Sequence, residues 1–177
     1  SGRGVQGLNL VDALSRCQEF LTHWGGHPVA VGLTVEKDNL ELFTEAFVAA
    51  VETLTGGKIT PPSLRITANI EQSDLRPELL NELIKMAPFG QENPEPVLAL
   101  KNIRLAQKPR TVGDGSHFQF SVHNGSAPIS GIAWKMAKRM PPSDQNIDLA
   151  FRLKWNSWNG RRNLQMELQD WKLSDND

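Results

Sequence analysis

The spacing of apolar residues changes along this 177-residue chain, and the change falls at a proline-rich segment over residues 88–96. Before the segment, apolar residues recur every three or four positions, which is the period of amphipathic helices. After it they alternate with polar residues, which is the period of half-buried strands. We therefore predict an α/β domain with a mixed sheet and helices over 1–88, a linker over 89–96 and an all-β domain over 97–177.

The first domain is predicted to begin with a helix followed by a strand. Asn9 is a favourable N-cap, and apolar residues continue at helical spacing from Leu10 as far as Trp24. Gly25-Gly26 then predicts the end of that helix, because glycine favours the left-handed conformation of a helix terminus. The apolar, β-branched run over 29–35 predicts a buried strand.

Two further helices and one strand are predicted before the linker. Asp38 with Glu41 has the spacing of a capping box for the second helix, which Gly56-Gly57 would end. The apolar residues over 64–70 predict another strand. Pro77 suits the first turn of the third helix, because proline is tolerated where no intrahelical N–H bond is needed.

The second domain has the sequence order of a small barrel. Apolar and polar residues alternate in three runs, at 118–122, 147–155 and 164–168. The Asn-Gly pairs at 124–125 and 159–160 favour the positive φ values of type I′ hairpin turns. A short helix-like insert over 135–140 separates the third strand from the fourth. Five strands in this order are typical of the OB-fold, so we predict an all-β OB-fold barrel, with a small β-sandwich as the alternative.

Charge and cysteine content narrow the functional class. Residues 1–93 hold seven Lys and Arg against twelve Asp and Glu, a net −5, whereas residues 94–177 hold twelve against eight, a net +4. The basic half therefore leans slightly toward polyanionic partners. The single cysteine, Cys17, suits a reducing cytoplasm, and no apolar run approaches the roughly 20 residues of a membrane helix. We expect a cytoplasmic protein without a membrane partner.

One candidate binding element is Gly25-Gly26-His27, between the predicted helix and the predicted strand. Glycines let backbone amides approach a ligand, successive N–H groups can form an anion-binding nest, and a histidine can bond a phosphate oxygen. Arg3 could add a bidentate phosphate contact. The alternative is a helix C-cap beside a surface histidine. We expect no metal site between His23 and His27, because the two glycines interrupt the helix.

The second candidate surface is the basic and aromatic part of the C-terminal half. Single-stranded nucleic acid binds OB-folds through pairing of phosphates with cations and stacking of bases on aromatic rings. The candidate residues lie on one strand or beside the last hairpin: Arg152, Lys154, Trp158, Arg161 and Arg162. The alternative is an ordinary solvated polar face.

Catalytic motifs are missing from the sequence. It has no paired Asp/His cluster of metal-binding type, no P-loop, no Gly-x-Ser-x-Gly and no plausible Cys–His dyad. Because no residue set here could activate water alone, we expect no catalytic residues, no metal ligands and no bound cofactor.

Several segments together resemble the RecJ-type single-stranded-DNA exonucleases of the DHH phosphoesterase superfamily. Four segments resemble the DHH-associated domain of that family, at residues 1–3, 7–10, 25–27 and 30–33, with Val31 where alanine is commoner. The segment Ala87-Pro88-Phe89-Gly90-Gln91-Glu92-Asn93-Pro94-Glu95-Pro96 resembles the junction into the family's OB domain. Shorter stretches resemble that OB domain, at 112–113, 116–118, 131–134, 156–160 and 164–170.

The resemblance implies a function and a division of roles. The full-length enzyme would degrade single-stranded DNA from the 5′ end, using Mn²⁺ or Mg²⁺ held by an N-terminal DHH domain that we expect to lie outside this chain. The resemblance also implies that Arg3, Gly25, Gly26 and His27 position the substrate phosphate, and that the OB domain guides the strand. The chain by itself would bind single-stranded DNA without cleaving it.

Two alternatives stay open at this point. Another DHH phosphoesterase, acting on oligonucleotides or cyclic dinucleotides, would also carry a Gly-Gly-His element but would generally lack an OB domain. A non-enzymatic interaction module would instead use the barrel to dock a protein partner.

Overall fold

The computed structural model of the chain describes residues 1–5, 7–58 and 63–175. The chain forms two compact units, Ser1–Ser63 and Leu64–Asp177, here called the N-terminal unit and the C-terminal unit. Each unit has a hydrophobic core of its own. A unit of helices and sheet followed by a β-rich, OB-like unit confirms the predicted fold class.

The N-terminal unit combines a three-stranded sheet with two helices. Its elements are β1 (Gly2–Arg3), α1 (Leu10–Ser15), β2 (Leu21–His27), β3 (Ala30–Val35) and α2 (Leu40–Thr55), with 3-10 turns at Gln18–Phe20 and Lys37–Asn39. Strand β3 lies in the centre and pairs antiparallel with both β1 and β2. Side chains of both helices share one core with Leu21 and Trp24 of β2 and with Val31 and Leu33 of β3, so the helices cover one face of the sheet.

The core of this unit is small. Its fully buried members are Leu10, Leu14, Cys17 and Val31, and partly buried residues of α2 pack around them. Burial raises the pKa of the Cys17 thiol, and the nearby Glu19 carboxylate raises it further. A unit of this size buries a smaller fraction of its surface than a larger domain, so its stability is expected to be modest.

The predicted first helix is too long. Asn9 does cap α1, since its Oδ1 accepts hydrogen bonds from the N–H groups of Val11 (3.0 Å) and Asp12 (3.4 Å), but the helix ends at Ser15. Residues 21–27, which were expected to end the helix, form strand β2 instead. The pairing of β2 with β3 is non-local, and it prevails over the helical spacing that the segment shows by itself.

Helix α2 confirms the predicted C-terminus but not the predicted cap. Gly56 has φ +61°, and its N–H donates to the carbonyl of Glu52, as a left-handed C-cap requires. At the other end the 3-10 turn puts Asn39, rather than Asp38, at the N-cap, and within the described chain the Asn39 side chain makes no capping hydrogen bond. The Asp38–Glu41 capping box is therefore a wrong prediction.

The C-terminal unit is built on one seven-stranded sheet. Its elements are β4 (Ala68–Asn69), α3 (Pro77–Ile84), β5 (Leu98–Ile103), β6 (Arg110–Val112), β7 (His117–His123), β8 (Pro128–Ala133), β9 (Ile147–Trp158) and β10 (Arg161–Leu173), with 3-10 turns at Gln72–Asp74 and Ala137–Arg139. The strand order is β4-β5-β9-β10-β8-β7-β6. The β4–β5 and β8–β10 pairs are parallel, and the others are antiparallel.

This order is that of an OB-fold whose first strand is split. Strand β5 pairs with β9 at one edge and β6 pairs with β7 at the other, with residues 104–109 between them. A backbone bond from Ala106 N–H to the Ser121 carbonyl (2.8 Å) is made within that interval. As far as the described residues show, the ladder is therefore OB-like but not closed. The expected insert between the third and fourth strands is present as the single turn at Ala137–Arg139.

The two Asn-Gly turns differ. Asn159 and Gly160 have φ values of +49° and +72°, which confirms the predicted type I′ turn between β9 and β10. The turn at Asn124 is longer than a two-residue hairpin turn: its Oδ1 accepts hydrogen bonds from the N–H groups of Ser126 (3.0 Å) and Ala127 (2.9 Å). The side chain of Asn124 thus stabilises a four-residue turn, in which Gly125 has φ +94°.

Helix α3 belongs with the barrel and not with the preceding unit. Leu75 and Leu80 are buried in the same core as the barrel strands. The N–H of Thr67 bonds the Val97 carbonyl (2.7 Å), and the strand expected over 64–70 is reduced to β4. The chain therefore divides after residue 63, whereas the sequence indicated a boundary at 89–96, because the apolar face of α3 gives no sign of which core it joins.

Candidate nucleic-acid interface

Strands β7, β8, β9 and β10 share one polar face, here called the outer face. Phe118 on β7 is buried in the core, so the residues that alternate with it point outward. Strand register places outward side chains side by side across the sheet: Lys154 pairs with Gln165, Gln165 with Ser130, and Ser130 with Ser121. These residues form a polar row across four strands of the outer face.

A groove of about 390 Å³ lies on the outer face. Cations, amides and hydroxyls line it: Lys108, Arg110, Gln119, Ser121, Ser130, Asn156 and Gln165. Arg110 Nη2 donates to Gln119 Oε1 (3.1 Å), which holds the guanidinium against β7. Such a groove can pair phosphates with cations and offer hydrogen bonds to sugars and base edges.

Arg152 and Lys154 lie on the outer face of β9, and both are already paired with Glu95. Lys154 Nζ is 2.5 Å from Glu95 Oε1, and Arg152 Nε is 3.8 Å from Glu95 Oε2. Arg152 Nε is buried and finds no hydrogen-bond partner among the described residues. A phosphate that binds these two cations would therefore have to replace the carboxylate of Glu95.

Trp158 and Arg161 lie at the tip of the β9–β10 hairpin, where they are cross-strand partners. Trp158 is an even number of residues from Lys154, so both tip side chains point to the outer face. The Trp158 side chain is 73% exposed. An exposed indole ring beside a guanidinium can stack on a base while the cation pairs with a phosphate.

Arg162 does not share that face. It is the partner of Ser157, and its guanidinium carbon lies 4.3 Å from the centroid of the Trp155 ring, which packs against the core. This cation–π contact holds Arg162 over the apolar side of the hairpin. Of the five residues predicted to bind nucleic acid, the structure therefore brings four onto the outer face and separates Arg162 from them.

Two other cations of this unit, Arg139 and Lys172, are paired with carboxylates. Arg139 Nη1 lies 2.7 Å from Asp170 Oδ1, and Lys172 Nζ lies 2.7 Å from Asp175 Oδ2. The hydrogen bond between Lys172 and Asp175 raises the pKa of the ammonium group and lowers the pKa of the carboxyl group. Each of these cations already has a neighbouring counter-charge, so the two pairs offer less charge to a ligand than the groove does.

The substrate-positioning residues expected in the N-terminal unit also come together on one face. Arg3 on β1 and His27 on β2 are both partners of Ala30 on the central strand, so the three side chains form one row. Val31 faces the core, and this row therefore faces away from the helices. Arg3 and His27 are exposed, with their backbones two strand spacings or about 10 Å apart.

The adjacent glycines differ in what they do. Gly26 has φ +143°, and a Cβ there would come within 2.3 Å of the Ala30 carbonyl oxygen, so the approach of β3 requires glycine. A Cβ on Gly25 would meet no described atom within 4 Å, and its φ is ordinary. The approach of β3 thus explains Gly26, whereas no described neighbour requires glycine at position 25.

The expected anion nest is not formed by these glycines. Gly25, Gly26 and His27 are the end of strand β2, and the turn that follows is Pro28-Val29. In an extended strand successive N–H groups point to opposite edges, so they cannot converge on one anion. The interpretation of this element as a helix-to-strand turn was wrong for the same reason as the overlong first helix.

Sequence reasoning did not single out the residues that line the groove. Lys108 and Arg110 carried a signal, since both belong to the basic residues of the C-terminal half. Gln119, Ser130 and Gln165 carried none, because isolated amides and hydroxyls on the polar face of a strand are ordinary. Only the strand register brings them together.

The described residues contain neither a metal-binding cluster of side chains nor a membrane-spanning helix. Across 1–5, 7–58 and 63–175, no three side chains of His, Cys, Asp or Glu are close enough to hold a metal ion. His23 and His27 share a face of β2 but are about 13 Å apart along an extended strand, too far to share one ion. These residues therefore do not fit the metal that the family resemblance implies. No described helix has the length and apolarity needed to cross a membrane.

Comparison with known proteins gives concordant matches. Residues 66–170 match a family model described as the RecJ OB domain. The chain is 26% identical over 185 residues to the single-stranded-DNA-specific exonuclease RecJ of Bacillus subtilis, in an alignment that covers 99% of this chain and 23% of that protein. The chain thus spans about a quarter of the length of this curated relative.

Solved structures of a related protein agree. Crystal structures of RecJ from Thermus thermophilus, one in complex with Mn²⁺ and one in complex with Mg²⁺, match 98% of this chain at 26% identity, with TM-scores of 0.70 and 0.69. The matched region is 25% and 26% of those chains. The fold described above is therefore similar to one part of a longer protein.

Proposed function

Because the chain belongs to the RecJ OB domain family, we propose that it binds and positions single-stranded DNA within a longer 5′–3′ exonuclease. In this proposal, metal-dependent hydrolysis takes place in a DHH domain outside these 177 residues. The chain by itself binds DNA and does not cleave it. A cytoplasmic location fits the same role.

The outer face of the C-terminal unit is the observation that carries this proposal. OB-folds bind oligonucleotides on their second and third strands, between the loop that joins strands one and two and the loop that joins strands four and five. Here those strands are β7 and β8, and the loops are residues 113–116 and the hairpin at 159–160. The groove lies between these loops and contains the phosphate-pairing and hydrogen-bonding groups that a DNA strand needs.

We assign the N-terminal unit a separate role in the same proposal. Arg3 and His27 would contact a substrate phosphate from the exposed face of the sheet, and Gly25 and Gly26 would let that phosphate approach the backbone. Support comes from the shared row of Arg3 and His27 and from the flat surface beside them. Positioning of this kind can change the rate of hydrolysis strongly without supplying a catalytic group.

The metal ions belong to the proposed neighbouring domain. Mn²⁺ or Mg²⁺ would there create the nucleophilic hydroxide and stabilise the leaving oxygen. The residues described in this chain contribute only binding and orientation.

The alternatives differ in how they account for the C-terminal unit. A phosphoesterase for short oligonucleotides or cyclic dinucleotides generally lacks an OB domain, and the family match over 66–170 favours the nuclease. A protein-docking barrel has no need of cations and amides along one strand-binding groove. It predicts that single-stranded DNA leaves the tryptophan fluorescence unchanged at low salt.

Substitution of the two hairpin arginines tests the proposal. Arg161→Ala should weaken binding of a single-stranded 12-mer by about fivefold to tenfold, and it should reduce the slope of log affinity against log salt by about 0.7, because one phosphate contact is lost. Arg162→Ala should weaken binding less and should leave the slope unchanged, because that guanidinium lies over Trp155. Fluorescence titrations at several salt concentrations measure both quantities.

Thermal unfolding provides the control for these variants. Arg161→Ala should keep the midpoint of the parent, because the residue is exposed. If the parent and both variants have equal slopes of log affinity against log salt, the hairpin arginines do not contact DNA phosphates. The absence of DNA binding by the parent at low salt would contradict the proposed function as a whole.

A further inference from the structure

Trp134 is an exposed aromatic residue with no role in the core. It directly follows three buried residues of β8, yet 53% of its side chain is exposed. Ala133, its neighbour, pairs with the buried Phe118, so Trp134 points to the opposite face. That face is the outer face, where a large apolar ring gains nothing from the barrel core.

The Trp134 ring is held in a defined orientation. The His117 ring forms a T-shaped contact with it, at an interplanar angle of 82° and with centroids 4.9 Å apart. His117 is itself fixed, because its Nδ1 accepts a hydrogen bond from the N–H of Lys135 (2.8 Å) and lies 3.1 Å from the Ser116 hydroxyl. Asp114 accepts hydrogen bonds from the hydroxyl (2.6 Å) and the N–H (2.9 Å) of Ser116. A ring ordered in advance loses less entropy when a ligand stacks on it.

Strand register places Trp134 and Trp158 at opposite ends of the outer face. Arg161, the partner of Trp158, is six residues from Glu167 on β10, and Glu167 pairs with Ile132 on the parallel strand β8. Trp134 lies two residues beyond Ile132 in the same direction. The separation of eight residues corresponds to about 26 Å along a strand. At the stacked rise of about 3.4 Å per nucleotide, this distance accommodates at most about eight nucleotides.

We propose that Trp134, oriented by His117, is a second base-stacking site at the far end of the DNA-binding face from Trp158. The ligand is one nucleobase of the same single strand whose phosphates bind in the groove. Lys135 and Lys138 are exposed on the turn that follows and add positive charge next to the ring. This inference rests on the proposed function and extends it to the length of strand that is bound.

Binding of two 12-mers tests the inference: oligothymidylate, and an abasic strand that has phosphates but no bases. Trp134→Ala should weaken binding of oligothymidylate by about tenfold, because stacking of one base is lost. The abasic strand should bind the variant and the parent equally. Trp134→Phe should restore most of the affinity for oligothymidylate, because it keeps an aromatic face.

The outcomes separate this inference from the proposed function. If the parent does not bind oligothymidylate, the proposed function fails and the inference fails with it. If the parent binds and Trp134→Ala binds equally well, or if the variant loses affinity for both strands alike, only the stacking site is excluded. Should Trp134→Ala have a lowered thermal midpoint, Trp134→Leu against Trp134→Phe makes the same test with two bulky apolar side chains, and equal affinities would overturn the inference.

Discussion

The two units use their exposed faces differently. In the N-terminal unit, the open face of the sheet carries Gly25, Gly32 and Ala30 in its middle, with Arg3 and His27 at the sides. In the C-terminal unit, the outer face carries long amides, cations and two exposed indoles. A face without side chains can only let a ligand come close, whereas a face of long polar side chains can hold a flexible polymer by itself.

The hydrophobic cores of the two units also differ, in their size. Among the described residues, the cluster of buried residues has 17 members in the C-terminal unit and four in the N-terminal unit. The larger core supports the strand register on which the groove depends. Under the proposed function, the C-terminal unit would bind DNA by itself, whereas the flat surface of the N-terminal unit would act together with the proposed catalytic domain.

Among the substitutions considered, we expect alanine at the two adjacent glycines to have the largest effect, on the stability of the N-terminal sheet. Gly26→Ala should lower the free energy of local opening of β3 by about 2–4 kcal/mol, because the new Cβ would clash with the backbone of β3 and the φ value disfavours alanine. Gly25→Ala, the matched control, should change it by less than about 1 kcal/mol. Hydrogen exchange of the β3 amides measures both.

The functional part of the prediction concerns Gly25. In a longer chain that includes the catalytic domain, Gly25→Ala should reduce turnover although the fold is intact, since a methyl group now stands on the flat face beside His27. Normal turnover by this variant would mean that no ligand approaches this face closely. The flat face of the N-terminal unit would then have no role in substrate positioning.

Glu95 provides a prediction of intermediate size for the C-terminal unit. Its carboxylate forms an ion pair with Lys154 and lies near Arg152 on the outer face, and all three side chains are partly exposed. A pair of this kind is worth about 0–1 kcal/mol, so Glu95→Gln should raise the affinity for single-stranded DNA by about twofold to fivefold and should steepen its salt dependence. Weaker binding would show instead that Glu95 is needed to hold the two cations in place.

The smallest expected effect is a pH dependence at the turn that orients Trp134. Hydrogen bonds from the hydroxyl and the N–H of Ser116 hold the pKa of Asp114 below its usual value. Because the folded pKa is below the unfolded value of about 3.9, the stabilisation is present above that pH and is lost as the pH falls through the folded pKa. Asp114→Asn should therefore reduce the loss of thermal midpoint below about pH 4. Identical plots of thermal midpoint against pH for variant and parent would show that Asp114 does not stabilise this turn.

Local chemistry explains which elements could be predicted from the sequence. The Gly56 C-cap and the Asn159-Gly160 turn each depend on residues that tolerate positive φ, so their position follows from the residues alone. The period-two runs predicted strands β7, β9 and β10. Strand β2 was missed because Leu21 and Trp24 fit a helix face equally well until β3 is there to pair with them.

The candidate site was predictable only in part, for a geometric reason. Arg152, Lys154, Trp158 and Arg161 were found because cations and tryptophans are conspicuous. The position of Arg162 could have been derived from the two-residue turn, which pairs residue 161 with 158 and therefore 162 with 157 on the opposite face. The pairing of Glu95 with β9 joins residues more than 50 positions apart, and no local pattern indicates it.

A hydrogen-exchange footprint of the 177-residue chain with and without a single-stranded 12-mer shows which surface binds DNA. We expect protection on the outer face of β7, β8 and the β9–β10 hairpin, and no protection on the open face of β2 and β3. Protection confined to β2 and β3, or protection nowhere on the outer face at saturating DNA, would contradict it.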